Sequence, residues 1–302
     1  MDLYHLFNSL SPSWTSAAML FGFFLYLATV GSILPGKLVP GVTLSDGTRL
    51  HYRCNGLLSL LLLVLLLGVG SQKNLVSPTA IADRGLELLS TTFIFSVLVT
   101  LMLYLIGCNS RAKSSSLKPH VSGNLIHDWW FGIQLNPEFM GIDLKFFFVR
   151  AGMMGWLLIN LSVLAKCIIE AKLSQSMILY QLFCGLYILD YFYYEEFMTS
   201  TWDIIAERLG FMLVFGDLVF IPFTFSIQGW WLLSNKVRLT KTAIILPITL
   251  SLLDLAGLKG TPCSEEPISK HMFKESQGTH MGSPQKLLEV ACFWLLGHCT
   301  AL

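Results

Sequence analysis

Apolar residues in this chain come in long continuous runs, not in alternation and not in narrow helical stripes. Seven runs stand out: residues 15–33, 56–70, 91–107, 146–165, 178–194, 209–233 and, with weaker patterning, 242–258. About 20 predominantly apolar residues suffice to cross a bilayer as a helix. The run at 56–70, GLLSLLLLVLLLGVG, is short but extends toward Tyr52 on one side and Ser71 on the other. Lipid admits only helices and closed barrels, and unbroken apolar runs exclude the alternating pattern of a barrel. The expected fold is therefore all-α: a polytopic membrane bundle of about six or seven spans.

Composition agrees. Of the 302 residues, 54% are hydrophobic and 13% charged, about half the charge of an ordinary soluble domain. The net charge of +1 comes without a basic arm or block, which leaves no footprint for nucleic acid. The first run begins near residue 15 without a basic flank or a small-residue cleavage site, which argues against a removable signal peptide. Seven scattered cysteines form no Cys-x-x-Cys and have no histidine at ligand spacing, so free thiols are expected and no metal site. Lys and Arg divide almost evenly between alternate loops, and the positive-inside rule sets no orientation.

Four regions follow from these patterns: a three-span region at 1–108, a polar Ser- and Lys-rich connector at 109–122, a core at 123–243 and a divergent tail at 244–302. The first three spans carry almost no ionisable groups. The core threads them through its apolar segments, and an ionisable residue inside a span marks a candidate site by default.

Three constellations in the core carry the chemistry. The stretch GNLIHDWWFGIQLNP (123–137) places His127, Asp128, Trp129 and Trp130 on a short segment that the Asn136–Pro137 step is expected to end. It fits an interfacial segment anchored by tryptophans, or a pocket wall with His127 and Asp128 as polar contacts. In YILDYFYYEEFMTSTWDIIAERLGF, Tyr187, Asp190 and Tyr194 share one helical face, and Tyr191, Glu195 and Met198 form a neighbouring stripe. The stretch reads as the solvated end of a span, or as phenols and carboxyls facing an apolar cavity and suited to general-acid chemistry on an uncharged lipid. In the third, Asp217 and Pro222 interrupt a long span, where a kink is expected. Arg150, inside the run at 146–165, needs an acidic partner that no spacing identifies. Rossmann, P-loop, HExxH and GxSxG signatures are all missing.

The stretch 123–137 resembles the signature of the membrane sterol reductases, Gly-x-x-hydrophobic-(Tyr/His)-Asp-x-aromatic-x-Gly-x-x-Leu-Asn-Pro. Here Gly123, Ile126, His127, Asp128, Trp130, Gly132, Leu135, Asn136 and Pro137 fill it, with Glu138 where the family often has Arg. Residues 143–162 and 186–232 also match, in the wording of the plant-type delta(14) branch. The resemblance implies a multi-pass enzyme of the endoplasmic reticulum membrane with about ten spans. It implies NADPH-dependent reduction of the C14–C15 double bond of a sterol diene, by protonation and then hydride transfer. On that basis Tyr187, Asp190, Tyr191 and Glu195 are the candidate proton-donor network. Asp128, Trp130 and Asp203 are candidate sterol contacts, and membrane lipid is the surrounding partner. The sister activities at C7 or C24, a transporter or receptor, and the lamin-binding branch of the family remain alternatives.

Past residue 242 the family's cofactor signature, close to Gly-Tyr-Trp-Gly-Ile-Ala-Arg-His-Cys-Asn-Tyr, is missing from the written frame. Trp294–Leu302 can be encoded so that a one-base shift yields Gly-Tyr-Trp-Gly-Ile-Ala-Arg-His-Cys, and THMGS hides Pro-Ile-Trp-Gly in the same way. The tail from about 244 is therefore expected to be out of frame, the cofactor-binding positions unassigned, and cofactor binding by the chain as written weak.

Overall fold

The computed structural model of the chain describes residues 10–43, 49–109 and 120–235. Six of the seven apolar runs are helical, and the run at 242–258, like the tail, lies outside the described residues. Among the described residues, four segments are long and apolar enough to cross a membrane: Trp14–Ile33 (α1), Gly85–Asn109 (α4), Leu144–Ile169 (α6) and the composite Phe211–Ser234. Between them stand the shorter apolar helix Gly56–Gln72 (α2) and the more polar Gln175–Tyr193 (α7), with one-turn helix Ala80–Asp83 (α3) preceding α4.

Side-chain caps set several helix starts. Ser13 accepts from the Ser16 amide at the head of α1, and Ser174 from the Met177 amide at the head of α7. Asp143 accepts from the Phe146 amide at 2.9 Å at the head of α6. Each satisfies one of the four amides that a helix start leaves open.

Two features depart from the all-helical expectation. Lys37–Thr43 (β1) and Arg49–Cys54 (β2) form an antiparallel hairpin between α1 and α2, and a second, two-residue hairpin pairs Glu138–Phe139 (β3) with Ile142–Asp143 (β4). The short helix Leu125–Phe131 (α5) also ends earlier than the Asn136–Pro137 step suggests. Gly132 breaks it at φ 85°, a conformation that costs glycine little.

The composite span kinks as Pro222 predicts, by a specific device. Phe211–Phe215 (α10) runs into a π-helical segment, Gly216–Thr224, which contains Asp217 and Pro222 and leads to Ile227–Ser234 (α11). The Pro222 carbonyl accepts from Ser226 Oγ at 2.6 Å, and Asn160 Nδ2 of α6 in turn donates to Ser226 Oγ at 3.2 Å.

Helix α6 is the central post, with Met154, Asn160, Val163 and Cys167 wholly buried. Its Gly152 lies so close to the Asp217 carbonyl that a Cβ there would overlap it, while a Cβ at Gly155 would meet Pro222 at an ordinary 3.7 Å. Gly152→Ala is therefore expected to destabilise the bundle by about 1–3 kcal/mol, with Gly155→Ala tolerated. Thermal melting of the two detergent-solubilised variants checks this, and equal melting points would refute the contact.

Candidate active site

The signature stretch turns its polar residue inward. Asp128 is 2% exposed, and both its carboxylate oxygens accept from the Ser122 amide at 3.0 Å. Hydrogen bonding by Ser122, above all, holds this carboxyl below the usual aspartate range. Trp129 stacks on Phe211 at 4.6 Å and donates from Nε1 to Thr100 Oγ1 at 3.0 Å. Trp130 is 40% exposed and leans on the same Phe211 ring. Asp128 thus closes its own loop, and neither it nor Trp130 lines the two cavities described below.

A second group lies inside the bundle. Of the two stripes on α7, Tyr191 and Glu195 are buried, Tyr187 and Asp190 are half-buried, and Tyr194 is exposed. Glu195 opens the one-turn helix Glu195–Met198 (α8) and finds the partner that Arg150 needs. Arg150 Nε donates to Glu195 Oε1 at 2.5 Å, and the Gly56 amide, at the start of α2, donates to Oε2 at 2.9 Å. The guanidinium also donates to the Arg53 carbonyl and lies 4.5 Å over the Phe146 ring. One ion pair thereby ties α2, α6, α8 and the first hairpin together.

Around that pair, Tyr187, Asp217 and Arg150 come within electrostatic reach of Tyr191, although they are scattered over α6, α7 and the π segment. The Tyr191 hydroxyl, one Asp217 carboxylate oxygen and the Trp156 indole N–H are all buried with no hydrogen-bond partner among the described residues. Native interiors leave few such atoms, and a concentration of them on facing helices marks a place built for chemistry or for a ligand. Trp156 also faces the rings of Tyr187 at 5.5 Å and Phe225 at 5.3 Å, which gives the polar group an aromatic wall.

Asp203, on the one-turn helix Trp202–Ile205 (α9), is exposed and reaches this layer only through its charge. Sequence reasoning missed Lys145. It is wholly buried at the head of α6 and donates from Nζ to the carbonyls of Ile204, at 3.0 Å, and Glu207, at 2.5 Å. It pins the 202–210 loop beneath Asp217. A lysine at the end of an apolar run reads as a snorkelling residue, so its burial had no signal in the sequence.

Asn136 is the other surprise. Its Nδ2 donates to Tyr52 Oη and to Asp143 Oδ2, each at 3.0 Å, and so joins the first hairpin to the cap of α6. Burial raises the Asp143 carboxyl, against the bonds from Phe146 and Asn136. Two cavities flank this junction. One, of about 300 Å³, lies between the hairpin and residues 199–206, and the other, of about 410 Å³, lies between α1, the hairpin and Arg150.

The model of the ergosterol biosynthesis ERG4/ERG24 family matches residues 2–258, most of the chain and all the elements just described. This chain belongs to that family. Among curated proteins it is 62% identical to an Arabidopsis thaliana delta(14)-sterol reductase over 97% of the chain and 80% of that protein. It is 34% identical to a delta(14)-sterol reductase of Methylotuvimicrobium alcaliphilum, covering 92% of the chain and 64% of that protein. A third relative, the Saccharomyces cerevisiae delta(14)-sterol reductase ERG24, is 32% identical and covered over 59% of its length.

A sterol reductase of the ERG4/ERG24 family needs a reductant. The described residues do not fit a dinucleotide. Lys37, Arg84, Arg150, Lys166 and Lys172 are each paired with a carboxylate, and Lys145 is enclosed by carbonyls. Arg49 donates to Thr43 Oγ1 and Arg53 to the Ser32 carbonyl, which leaves Lys73 and Arg208 among the described residues, on separate segments, to meet a pyrophosphate.

Proposed function

We propose that this ERG4/ERG24 chain is a delta(14)-sterol reductase of the endoplasmic reticulum membrane, acting on the C14–C15 double bond of a sterol diene. The observation that carries this reading is the Tyr191 hydroxyl: buried, unpartnered among the described residues, and beside Asp217 and the Arg150–Glu195 pair.

Protonating an alkene needs a donor in a dry place, and proton transfer from a positioned side chain contributes roughly 10²- to 10⁴-fold. In this reading the Tyr191 proton goes to C15, the π electrons form the new C–H bond, and a tertiary cation is left at C14. The Tyr191 phenolate that remains is held by the nearby Arg150 charge. The faces of Trp156 and Tyr187 stabilise the cation through their ring quadrupoles. Glu195 holds Arg150, and Asp190 and Asp217 complete the polar surround. Asp128, Trp130 and Asp203 stay outside this group and are sterol contacts only by the family resemblance. The family resemblance implies NADPH as the reductant that would supply a hydride to C14, and no described residue is assigned to hold it.

Expression in a yeast strain lacking its own C14 reductase tests the function. The chain as written is compared with a chimera that continues after Thr242 with the Arabidopsis relative's C-terminal sequence. The chimera is expected to clear C14-unsaturated sterols from the lipid extract, and the chain alone to clear far less. A chimera that accumulates in the membrane but leaves the diene unreduced would overturn the assignment.

A further inference from the structure

The 300 Å³ cavity shares no lining residue with the buried Tyr191 group, and its composition is unusual for an interfacial pocket. Not one of its lining residues carries a charge. Its walls are mainly apolar, with Val42, Leu50, Leu135, Ile204 and Ile205 contributing. Small-ligand sites combine such walls with a few placed polar groups; here the Thr43 hydroxyl already accepts from Arg49 and the Thr199 hydroxyl donates to the Glu196 carbonyl, which leaves Tyr52 and Asn136.

These two form a matched donor and acceptor. Asn136 is held in one orientation because its Nδ2 serves two acceptors, Tyr52 Oη and Asp143 Oδ2. Its Oδ1 is consequently turned away, buried, and without a partner among the described residues. Tyr52, only 5% exposed, receives the Asn136 bond on its oxygen, and no described residue takes its proton. Burial raises the phenol well above its ordinary pKa and keeps that proton in place. An ammonium, phosphate or carboxylate would find no counter-charge in the cavity. A hydroxyl would find both a donor and an acceptor.

We infer that this chamber between the first hairpin and the 199–206 loop binds the hydroxyl end of an uncharged lipid alcohol, a 3β-hydroxysterol, at a site separate from the reducing group. The ligand hydroxyl donates to Asn136 Oδ1 and accepts from Tyr52, and its first rings lie against Ile204, Ile205 and Val42. The choice of a sterol over another lipid alcohol rests on the proposed reductase function.

Photolabelling of the purified full chain in lipid nanodiscs with a diazirine-bearing 3β-hydroxysterol tests the site. Label is expected on residues 41–43, on Leu50 and on residues 199–206, displaced by excess 3β-hydroxysterol and not by its 3-acetate. Ala206→Trp, which places a large ring on a residue that lines the cavity, should cut that labelling about tenfold and spare label on α7. Asn136→Leu should do the same, about the ratio for one lost hydrogen bond. Label confined to α6 and α7, label indifferent to Ala206→Trp, or displacement by diacylglycerol but not by sterol would each overturn the proposal. Because labelling does not depend on turnover, a failed complementation test with these labels retained would sink the reductase assignment and leave the chamber standing.

Discussion

Replacing Tyr191 by phenylalanine in the complementing chimera is expected to slow sterol reduction about 10²- to 10⁴-fold, the usual worth of a positioned general acid. Stability should move the other way. A buried hydroxyl without a partner costs the fold about 1–3 kcal/mol, so removing one does no harm to packing. The Tyr191→Phe protein is therefore expected to melt at or above the parent temperature while losing activity. That opposition separates a chemical role from a structural one. Parent-level turnover in sterol profiles of the variant would end the case for Tyr191 and pass the role to Asp217 or Tyr187.

Glu195 should behave in the opposite sense, as a stability residue first. Its side chain is 3% exposed and that of Arg150 12%, so neither charge has enough water to stand alone. Removing one partner of a buried pair costs about 3–5 kcal/mol because the other charge is stranded, whereas replacing both with apolar groups is often neutral. Glu195→Leu is expected to lose most folded protein in detergent extracts, and Arg150→Met with Glu195→Leu to regain most of it. Melting curves for both single variants and the double variant give the coupling. A Glu195→Leu protein as stable as the parent would show the pair to be ornamental.

These two residues also mark how far the sequence could be read. The spans were legible because lipid forces helices, and continuous runs such as 91–107 have no other solution. The stripe joining Tyr191 to Glu195 was legible because helical spacing alone puts them on one face. The partner of Arg150 was not, since nothing local relates position 150 to position 195. The hairpin at 37–54 was hidden because Pro40 and Gly41 interrupt a strand of only seven residues, and both are depleted in strands. Asn136 was read as a helix breaker, while its side chain links Tyr52 to Asp143, residues far apart in the chain. Lys145 gave no local sign of its surroundings, since the carbonyls that enclose it come from about sixty positions further on.

The π-helical segment has a geometric consequence of its own. Asp217 and Ser226 are nine positions apart, and at 3.6 residues per turn that is about two and a half turns, which would put them on opposite sides of the rod. Yet the Asp217 carbonyl presses on Gly152 and Ser226 takes a bond from Asn160, so both face α6. The wider winding of Gly216–Thr224, roughly 4.4 residues per turn, takes up the missing half-turn and brings them into phase. The segment works as a rotary offset along one rod. A single deletion within it would turn Ile227–Ser234 by about 80° relative to Asp217, parting the polar contacts of the two ends without touching any residue that makes them.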